Sequence, residues 1–212
     1  MTSDDSRYIL RLISEGEHLQ QDFKYKITDA MKLARSVSAF ANTSGGRLLI
    51  GVRDDGVVSG VRSEEEIYMM HAAAYEYCRP ASSIHFDTYQ VAGRQVVIAT
   101  VPPAQRKPVA ARIGEGEYRA FVRIADENII ASPVQLRIWK DEQSRLGSLL
   151  HYTDEESAFL RLLDDSGMHT LNQIVRLSGM GRYKAIALLS RLVRFGLVRQ
   201  EYAGEGRFLY GN

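Results

Sequence analysis

Residues 36 to 60 constrain the fold of this chain more than any other stretch. They read Ser36-Val37-Ser38-Ala39-Phe40-Ala41-Asn42-Thr43-Ser44-Gly45-Gly46-Arg47-Leu48-Leu49-Ile50-Gly51-Val52-Arg53-Asp54-Asp55-Gly56, then Val57-Val58-Ser59-Gly60. From just upstream, Ala30, Leu33, Ala34, Val37, Phe40 and Ala41 recur at i, i+3, i+4 and i+7, the pattern of a helix with one apolar face. Thr28 or Asp29 is placed to cap it. Gly45 or Gly46 ends it, because glycine enters the left-handed C′ conformation without a steric penalty. Leu48 to Val52 is a continuous apolar run, suited to a strand buried on both faces. Asp54-Asp55-Gly56 is then a turn, and Val57-Val58 starts the return strand. Asn42 to Gly46 is no phosphate loop. It lies at a helix C-terminus, where the macrodipole is negative and carbonyls point outward. The chain also has no Gly-x-x-x-x-Gly-Lys-Ser/Thr string, so ATP is not expected as a cofactor.

At 212 residues the chain can form one domain or two modest ones. A formal net charge of +1 favours no particular partner for the chain as a whole. Cys78 is the single cysteine, which excludes an internal disulfide and a cysteine-rich zinc site. No run of 18 apolar residues occurs, and Met1-Thr2-Ser3-Asp4-Asp5 is polar and acidic rather than a signal sequence. The expectation is a soluble, cytoplasmic protein with no membrane partner. His18, His71, His85, His151 and His169 lack metal-ligand spacing and read as ordinary polar or core residues. Met69-Met70 reads as core, and Arg106-Lys107 as a solvated basic loop that would at most touch a phosphate.

Charge is spread unevenly. Residues 166 to 212 hold seven Lys and Arg against Glu201 and Glu205, an excess of five. The pattern changes there too, from mixed strands and helices to mainly helices. Trp139-Lys140-Asp141-Glu142-Gln143-Ser144 is the expected boundary, giving domains over 1–140 and 145–212.

In the first domain, Leu19 to Lys26 reads as a strand with Leu19, Phe23 and Tyr25 on one side. Ser63-Glu64-Glu65-Glu66 reads as a capping box opening a helix to about Cys78. Ile84–Gln90 and Arg94–Val101 flank Ala92-Gly93 as a hairpin. Ala110–Ile113 and Tyr118–Ile124 add two strands. In the last of these, Arg119, Phe121 and Arg123 share a face. Two arginines around an aromatic suit a nucleic-acid strand, and equally a solvated edge around a core Phe.

Several separated motifs now stand in order: Glu17 through Phe23-Lys24, Ala39-Phe40-Ala41-Asn42-Thr43, Gly45-Gly46, Ile50-Gly51-Val52, Asp54-Asp55-Gly56, Gly60-Val61, Lys107-Pro108 and Tyr118–Arg123. Together they resemble a Schlafen AlbA-type domain over roughly residues 10 to 135. The resemblance implies a mixed-sheet α+β domain of the kind described as a DNA-binding or ATP-binding module of prokaryotic transcriptional regulators. It also implies a second activity, because animal relatives include tRNA and rRNA endonucleases that use three carboxylates. The matching positions are Glu17, Asp22 and Asp54, as catalytic groups and as ligands of Mg²⁺ or Mn²⁺, with Lys24 beside a phosphate. One departure weakens that match: the family usually has glutamate where this chain has Asp22, which reaches one methylene less far. On the residues alone, Glu17 and Asp22 pair equally well with Lys24, Lys26 or Arg53, and Asp54 shapes a turn.

The second domain is readable without any motif. Thr153-Asp154-Glu155-Glu156 is a capping box before Ala158, Phe159, Leu162 and Leu163. Thr170 caps a short helix, Gly179-Met180-Gly181 is a tight turn, and a third helix runs from Arg182 to Phe195. Leu197–Gln200 and Arg207–Tyr210 flank Gly204-Glu205-Gly206. Three helices and a hairpin, the second and third helix joined by a tight turn, make a small winged helix-turn-helix. At about 100° per residue, the third helix gathers Ile186, Leu188, Leu189, Leu192, Val193 and Phe195 on one side. Tyr183, Lys184, Ala187, Ser190, Arg191 and Arg194 gather on the other. With Arg182 and Arg207 these form the expected nucleic-acid surface, to which Lys24, Arg119 and Arg123 are the first domain's candidate additions. A solvated basic face is the plain alternative. The leading expectation is a DNA-binding transcriptional regulator, with double-stranded DNA as partner, RNA as a second one, and a homodimer. The alternatives are the metal-dependent endoribonuclease and a nucleotide-sensing or protein-docking adaptor.

Overall fold

A computed structural model describes residues 3–61, 63–143 and 153–211. Ser144 of the expected linker and His151 lie outside the described residues. The chain divides into two compact units, Met1–Ile130 and Ala131–Asn212. This division falls before the Trp139–Ser144 segment rather than within it.

The first unit opens with α1 (Ser3–Glu15), which the reading of the sequence missed. Its signal was present: Ile9 and Leu12 lie three apart and are 0% and 2% exposed. There follow β1 (Gln21–Lys24), α2 (Ala30–Asn42) and β2 (Gly46–Ile50). Next come α3 (Glu64–Tyr75), β3 (Cys78–Arg79), β4 (His85–Val91) and β5 (Arg94–Val101). β6 (Ala110–Arg112), β7 (Tyr118–Ile124) and β8 (Glu127–Ile130) complete it. One sheet has the order β1-β2-β5-β4 and the other β3-β6-β7-β8. The first is mixed: β1 and β2 are parallel, joined by α2 as crossover, and β2–β5 and β5–β4 are antiparallel. The unit is therefore α+β with a mixed sheet.

β2 is the strand buried on both faces. Leu48 and Ile50 pack with α2, while Leu49 packs with Ile9 and Leu12 of α1. α2 itself differs from the one-faced helix expected. It touches both sheets and α3, and Leu33, Ala34 and every residue from Ser36 to Asn42 are buried. Its polar members are satisfied by strand backbone. Ser38 Oγ donates to Val109 O (2.7 Å) and accepts from Phe121 N (3.0 Å). Asn42 Nδ2 donates to Val109 O and Phe121 O, and Asn42 Oδ1 accepts from Val109 N. Val109 and Phe121 thus find on α2 the partners that buried backbone groups require.

The helix ends as its sequence dictates. Asp29 is the N-cap and accepts from Lys32 N. Gly45 takes φ +73° and donates to Phe40 O at 2.9 Å. Gly46 has a separate duty, because a Cβ there would run into the Phe40 ring. Lys107 Nζ donates to Thr43 O, placing a cation at the negative helix end. The Ala92-Gly93 hairpin forms with both residues at positive φ, as a type I′ turn demands.

Ser63 caps α3 without a side-chain bond, so the capping box does not form. Its Glu66 is instead 3% exposed and accepts from Ile27 N. Leu19 and Tyr25, expected on the apolar side of a longer strand, are 39% and 43% exposed because β1 is only four residues long. Burial pushes the Cys78 thiol up to about 12.

The second unit contains α4 (Pro133–Glu142), α5 (Asp154–Ser166), β9 (His169–Thr170), α6 (Leu171–Ser178), α7 (Arg182–Arg194), β10 (Arg199–Tyr202) and β11 (Phe208–Gly211). The strands form a sheet of order β10-β11-β9. Capping boxes open α5 at Thr153 and α6 at Thr170, with both reciprocal bonds made in each. Gly179 ends α6 in the left-handed region, and Gly181 is the N-cap of α7. No helix among the described residues is long and apolar enough to cross a membrane.

Candidate functional site

Two sets of side chains carry the chemistry considered above. The first surrounds β1. Glu17 precedes the strand and its Oε1 accepts from Phe23 N at 2.8 Å, which brings its carboxyl against that of Asp22. Burial, then the hydrogen bond that Glu17 as an acid donates to Asp22, holds Glu17 above its ordinary value, while the Phe23 N–H opposes the rise.

Asp22 is 4% exposed. Lys24 Nζ lies 2.7 Å from its Oδ2 as an ion pair outside hydrogen-bond geometry, and an Arg123 terminal nitrogen lies 3.5 Å from its Oδ1.

Arg123 is the correction in this set. Expected among the residues facing nucleic acid, it is 3% exposed. Its guanidinium donates to Gln21 O and Asn128 Oδ1 and lies 5.1 Å from the centre of the Phe40 ring. The period-2 rule that places Phe121 in the core places Arg123 there as well. Arg119 is exposed and paired with Glu117 at 2.7 Å, and Lys24 is held by Asp22.

Asp54 does not join the pair. β1 and β2 register Asp22 beside Leu48, six residues earlier, and Gly51 then turns the chain at φ +88°. Asp54 sits exposed in the turn closed by Gly56 N and Arg53 O, where Arg53 pairs with Asp55. Among the described residues no three Asp, Glu, His or Cys side chains converge as a metal-binding group. The set of Glu17, Asp22 and Asp54 expected to hold Mg²⁺ or Mn²⁺ is thus reduced to two, one already neutralised by cations.

Gln21 is a residue the sequence reading passed over. Fully buried, it donates to Leu12 O and Gly16 O at the end of α1 and accepts from Arg47 Nε at 2.6 Å. Its signal was its place between Leu19 and Phe23, on the apolar side of the strand by the period of two.

The second set lies on α7. Of its expected apolar side, Leu188, Leu189 and Leu192 are buried together with Ala185, Ile186 and Val193 are half-buried, and Phe195 is 43% exposed. Its polar side is contacted only in part, with Tyr183 73% exposed and Lys184 and Arg194 exposed as well. α4 packs on α7, and Arg137 of α4 donates to Tyr183 Oη at 2.9 Å. Lys184 pairs with Glu155 at 2.5 Å and Arg191 with the buried Glu156 at 2.7 Å, both glutamates from the first turn of α5. A cavity of about 240 Å³ is bounded by Arg137, Asp141, Glu155, Lys184, Ala187 and Arg191. Ser190 is 1% exposed and donates to Ala187 O, so it cannot meet a groove as expected.

Arg182 donates to Asn172 Oδ1 of α6 and Arg207 pairs with Glu205; both are exposed, as is Arg194. The basic excess over 166–212 also shrinks on the fold's own boundaries. Residues 131–212 hold eleven Lys and Arg against nine Asp and Glu, because the unit includes the acidic start of α5.

The first unit is a mixed α+β domain whose helix–Gly-Gly–strand core is stitched by Ser38 and Asn42. Over residues 17–132, more than half its length, the chain matches the Schlafen AlbA_2 family, and it belongs to that family. No curated protein matches it. Among solved structures it resembles the DIP2311 protein from Corynebacterium diphtheriae, at 19% identity and TM-score 0.47 over 77% of this chain. The match spans only 34% of that protein's length. It also resembles the N-terminal domain of a protein from Nitrosomonas europaea described as related to the ATP-dependent DNA helicase RecG. That likeness has 20% identity and TM-score 0.41, over 72% of this chain and 98% of the other.

Proposed function

We propose that the protein binds nucleic acid and that residues 131–212 are a winged helix holding duplex DNA. The observation that carries this reading is the α6–turn–α7 arrangement beside the β10–β11 hairpin. Gly179 in the left-handed region and Gly181 at the N-cap make a three-residue link between two helices, the spacing of a helix-turn-helix. Around it, Arg182, Arg194, Arg199 and Arg207 are exposed. Arg199 and Arg207 are paired with glutamates on the hairpin itself, and such surface pairs are weak enough to exchange for phosphate.

Fluorescence anisotropy with the full chain and a labelled duplex tests the reading. Affinity should fall steeply as salt rises, and Arg182→Ala with Arg207→Ala should weaken binding at least tenfold. Unchanged affinity in that double variant, with its fold verified by circular dichroism, would remove the winged helix from the interface. Membership of the family agrees with a nucleic-acid role.

A further inference from the structure

We infer that the outer edge of β4, with the aromatic side of α3 beside it, is an interface between two copies of this chain. Every residue involved belongs to the first unit, so this holds whether or not the second unit binds DNA. A strand at the end of a sheet leaves alternate N–H and C=O groups without a ladder partner. β1 and β4 are the two ends of the first sheet, and they are treated differently. At β1, Glu17 Oε1 accepts from Phe23 N and Arg123 donates to Gln21 O, so side chains close the edge. The two-residue Ala92-Gly93 turn determines which groups β4 presents. Val91 and Arg94 close that turn as a bonded pair, so the N–H and C=O of Phe86, Thr88 and Gln90 point away from β5. Ser6 Oγ takes the Gln90 carbonyl, and among the described residues no strand covers the Phe86 and Thr88 end. Natural edges are blunted by lysine, proline or a bulge. His85-Phe86-Asp87-Thr88-Tyr89-Gln90-Val91 has neither residue, and its register with β5 is unbroken.

The helix beside this edge turns an aromatic row to solvent. Tyr68, His71 and Tyr75 of α3 recur at i, i+3 and i+7, and Tyr68 is 68% and Tyr75 51% exposed. His71 is exposed too; it stacks on Tyr75 at 5.9 Å and leans on Phe86 of β4 at 4.7 Å between ring centres. The row therefore continues onto the edge strand. Aromatic side chains are enriched where protein surfaces meet, because they bury much area for few rotatable bonds.

Charge selects the occupant and its register. A second β4 running antiparallel must set outward-pointing residues opposite one another. Centring the two-fold axis on Asp87 puts that carboxylate against its own copy at the closest spacing, which is destabilising. Centring it on Thr88 needs the Gln90 carbonyl that Ser6 already holds. Centring it on Phe86 avoids both. Phe86 then exchanges two backbone bonds with its copy, and His85 stands opposite Asp87 of the second copy on either side of the axis. His85 and Asp87 are exposed on one face of β4. On the other face Phe86 and His71 meet their copies, which joins two aromatic rows into one. A second copy supplies both halves of this match, whereas nothing in these residues specifies a foreign strand.

Sedimentation equilibrium on the full chain, without nucleic acid, tests the inference. The expected result is a monomer–dimer equilibrium that rises with concentration to twice the 23.9 kDa of one chain. Thr88→Pro removes an N–H that faces the outer edge and none that pairs with β5, so the fold should survive while the dimer Kd rises about tenfold or more. His85→Asp sets carboxylates opposite each other and should raise the Kd by about tenfold. Adding Asp87→His to it exchanges the two groups and should restore most of the lost affinity. Tyr68→Ala with Tyr75→Ala, both at exposed positions, should weaken the dimer without altering the circular dichroism spectrum. A chain that stays monomeric at every concentration overturns the inference, even if it takes up an extended peptide along β4 instead. A dimer whose Kd none of these variants moves uses another surface and overturns it as well.

Discussion

α2 and α7 are both 13-residue helices that interleave polar with apolar side chains, yet they use the polar ones differently. In α2 the charged residues Lys32 and Arg35 stay exposed, and the polar groups it buries are neutral and short and bond the backbone of a neighbouring sheet: Ser38 and Asn42 supply donors and acceptors to Val109 and Phe121. In α7 two of them, Lys184 and Arg191, are long and charged and meet glutamates on α5, while the neutral Tyr183 accepts from an arginine on α4. A short neutral group buried against backbone fixes register and leaves little to exchange. A long charged group at a partly wet contact can change partners. The same amphipathic pattern therefore builds a core in one unit and a tunable surface in the other.

The largest effect that would break this comparison is expected at Asn42. Asn42→Ala takes the named partner from Val109 N–H and from Phe121 O, while Val109 O keeps Ser38 Oγ, and at about 1–3 kcal/mol for each stranded group the domain should lose about 3 kcal/mol or fail to fold. Urea denaturation reads this directly; a loss under about 1 kcal/mol would mean water replaces the amide. In α7 the effects should be smaller and graded by burial. Arg191→Ala strands the nearly dry Glu156 and should cost about 2 kcal/mol. Lys184→Ala breaks an exposed pair and should cost less than about 1 kcal/mol. Equal costs at the two positions, measured in the same titration, would show that the first turn of α5 is uniformly wet.

The smallest expected effect sharpens the picture of the carboxylate pair. Glu17 is held above its ordinary value of 4.5 in the folded chain, first by burial and then by Asp22. The folded state thus prefers the protonated form. The stability this contributes is complete below pH 4.5 and is lost as pH rises through the folded value. Glu17→Gln keeps an acceptor for Phe23 N and places a permanent donor toward Asp22. It should raise the melting temperature at pH 7 by a small amount, and the gain should vanish below pH 4.5. A gain that persists unchanged at acid pH would show that charge is not its cause.

Much of the fold was legible because local chemistry and periodicity determine it. The α2 cap at Asp29, the Gly45 stop, the doubly buried strand, the Ala92-Gly93 turn and the capping boxes at Thr153 and Thr170 all follow from residues within a few positions of one another. α1 was legible too, through Ile9 and Leu12, and was overlooked. The site was less so. Arg123 and Ser190 stand where strand and helix periods allow either a surface or a packed role, and the choice falls to tertiary packing: Gln21, Asp22 and Phe40, far along the chain, for one, and the packing of the second unit for the other. Ser63-Glu64-Glu65-Glu66 had the letters of a capping box, but Glu66 found a better partner in Ile27 N, 39 residues away.

By itself the sequence determined the helices, the turns, the buried strand and the family to which the first unit belongs, since these depend on period, cap and glycine at short range. Only the tertiary structure decided that Asp54 stands apart from Glu17 and Asp22, and that Lys184 and Arg191 of α7 meet Glu155 and Glu156 of α5. Both outcomes turn on long-range register and on which charged surface meets which. Those are properties of packed elements, and no local pattern encodes them.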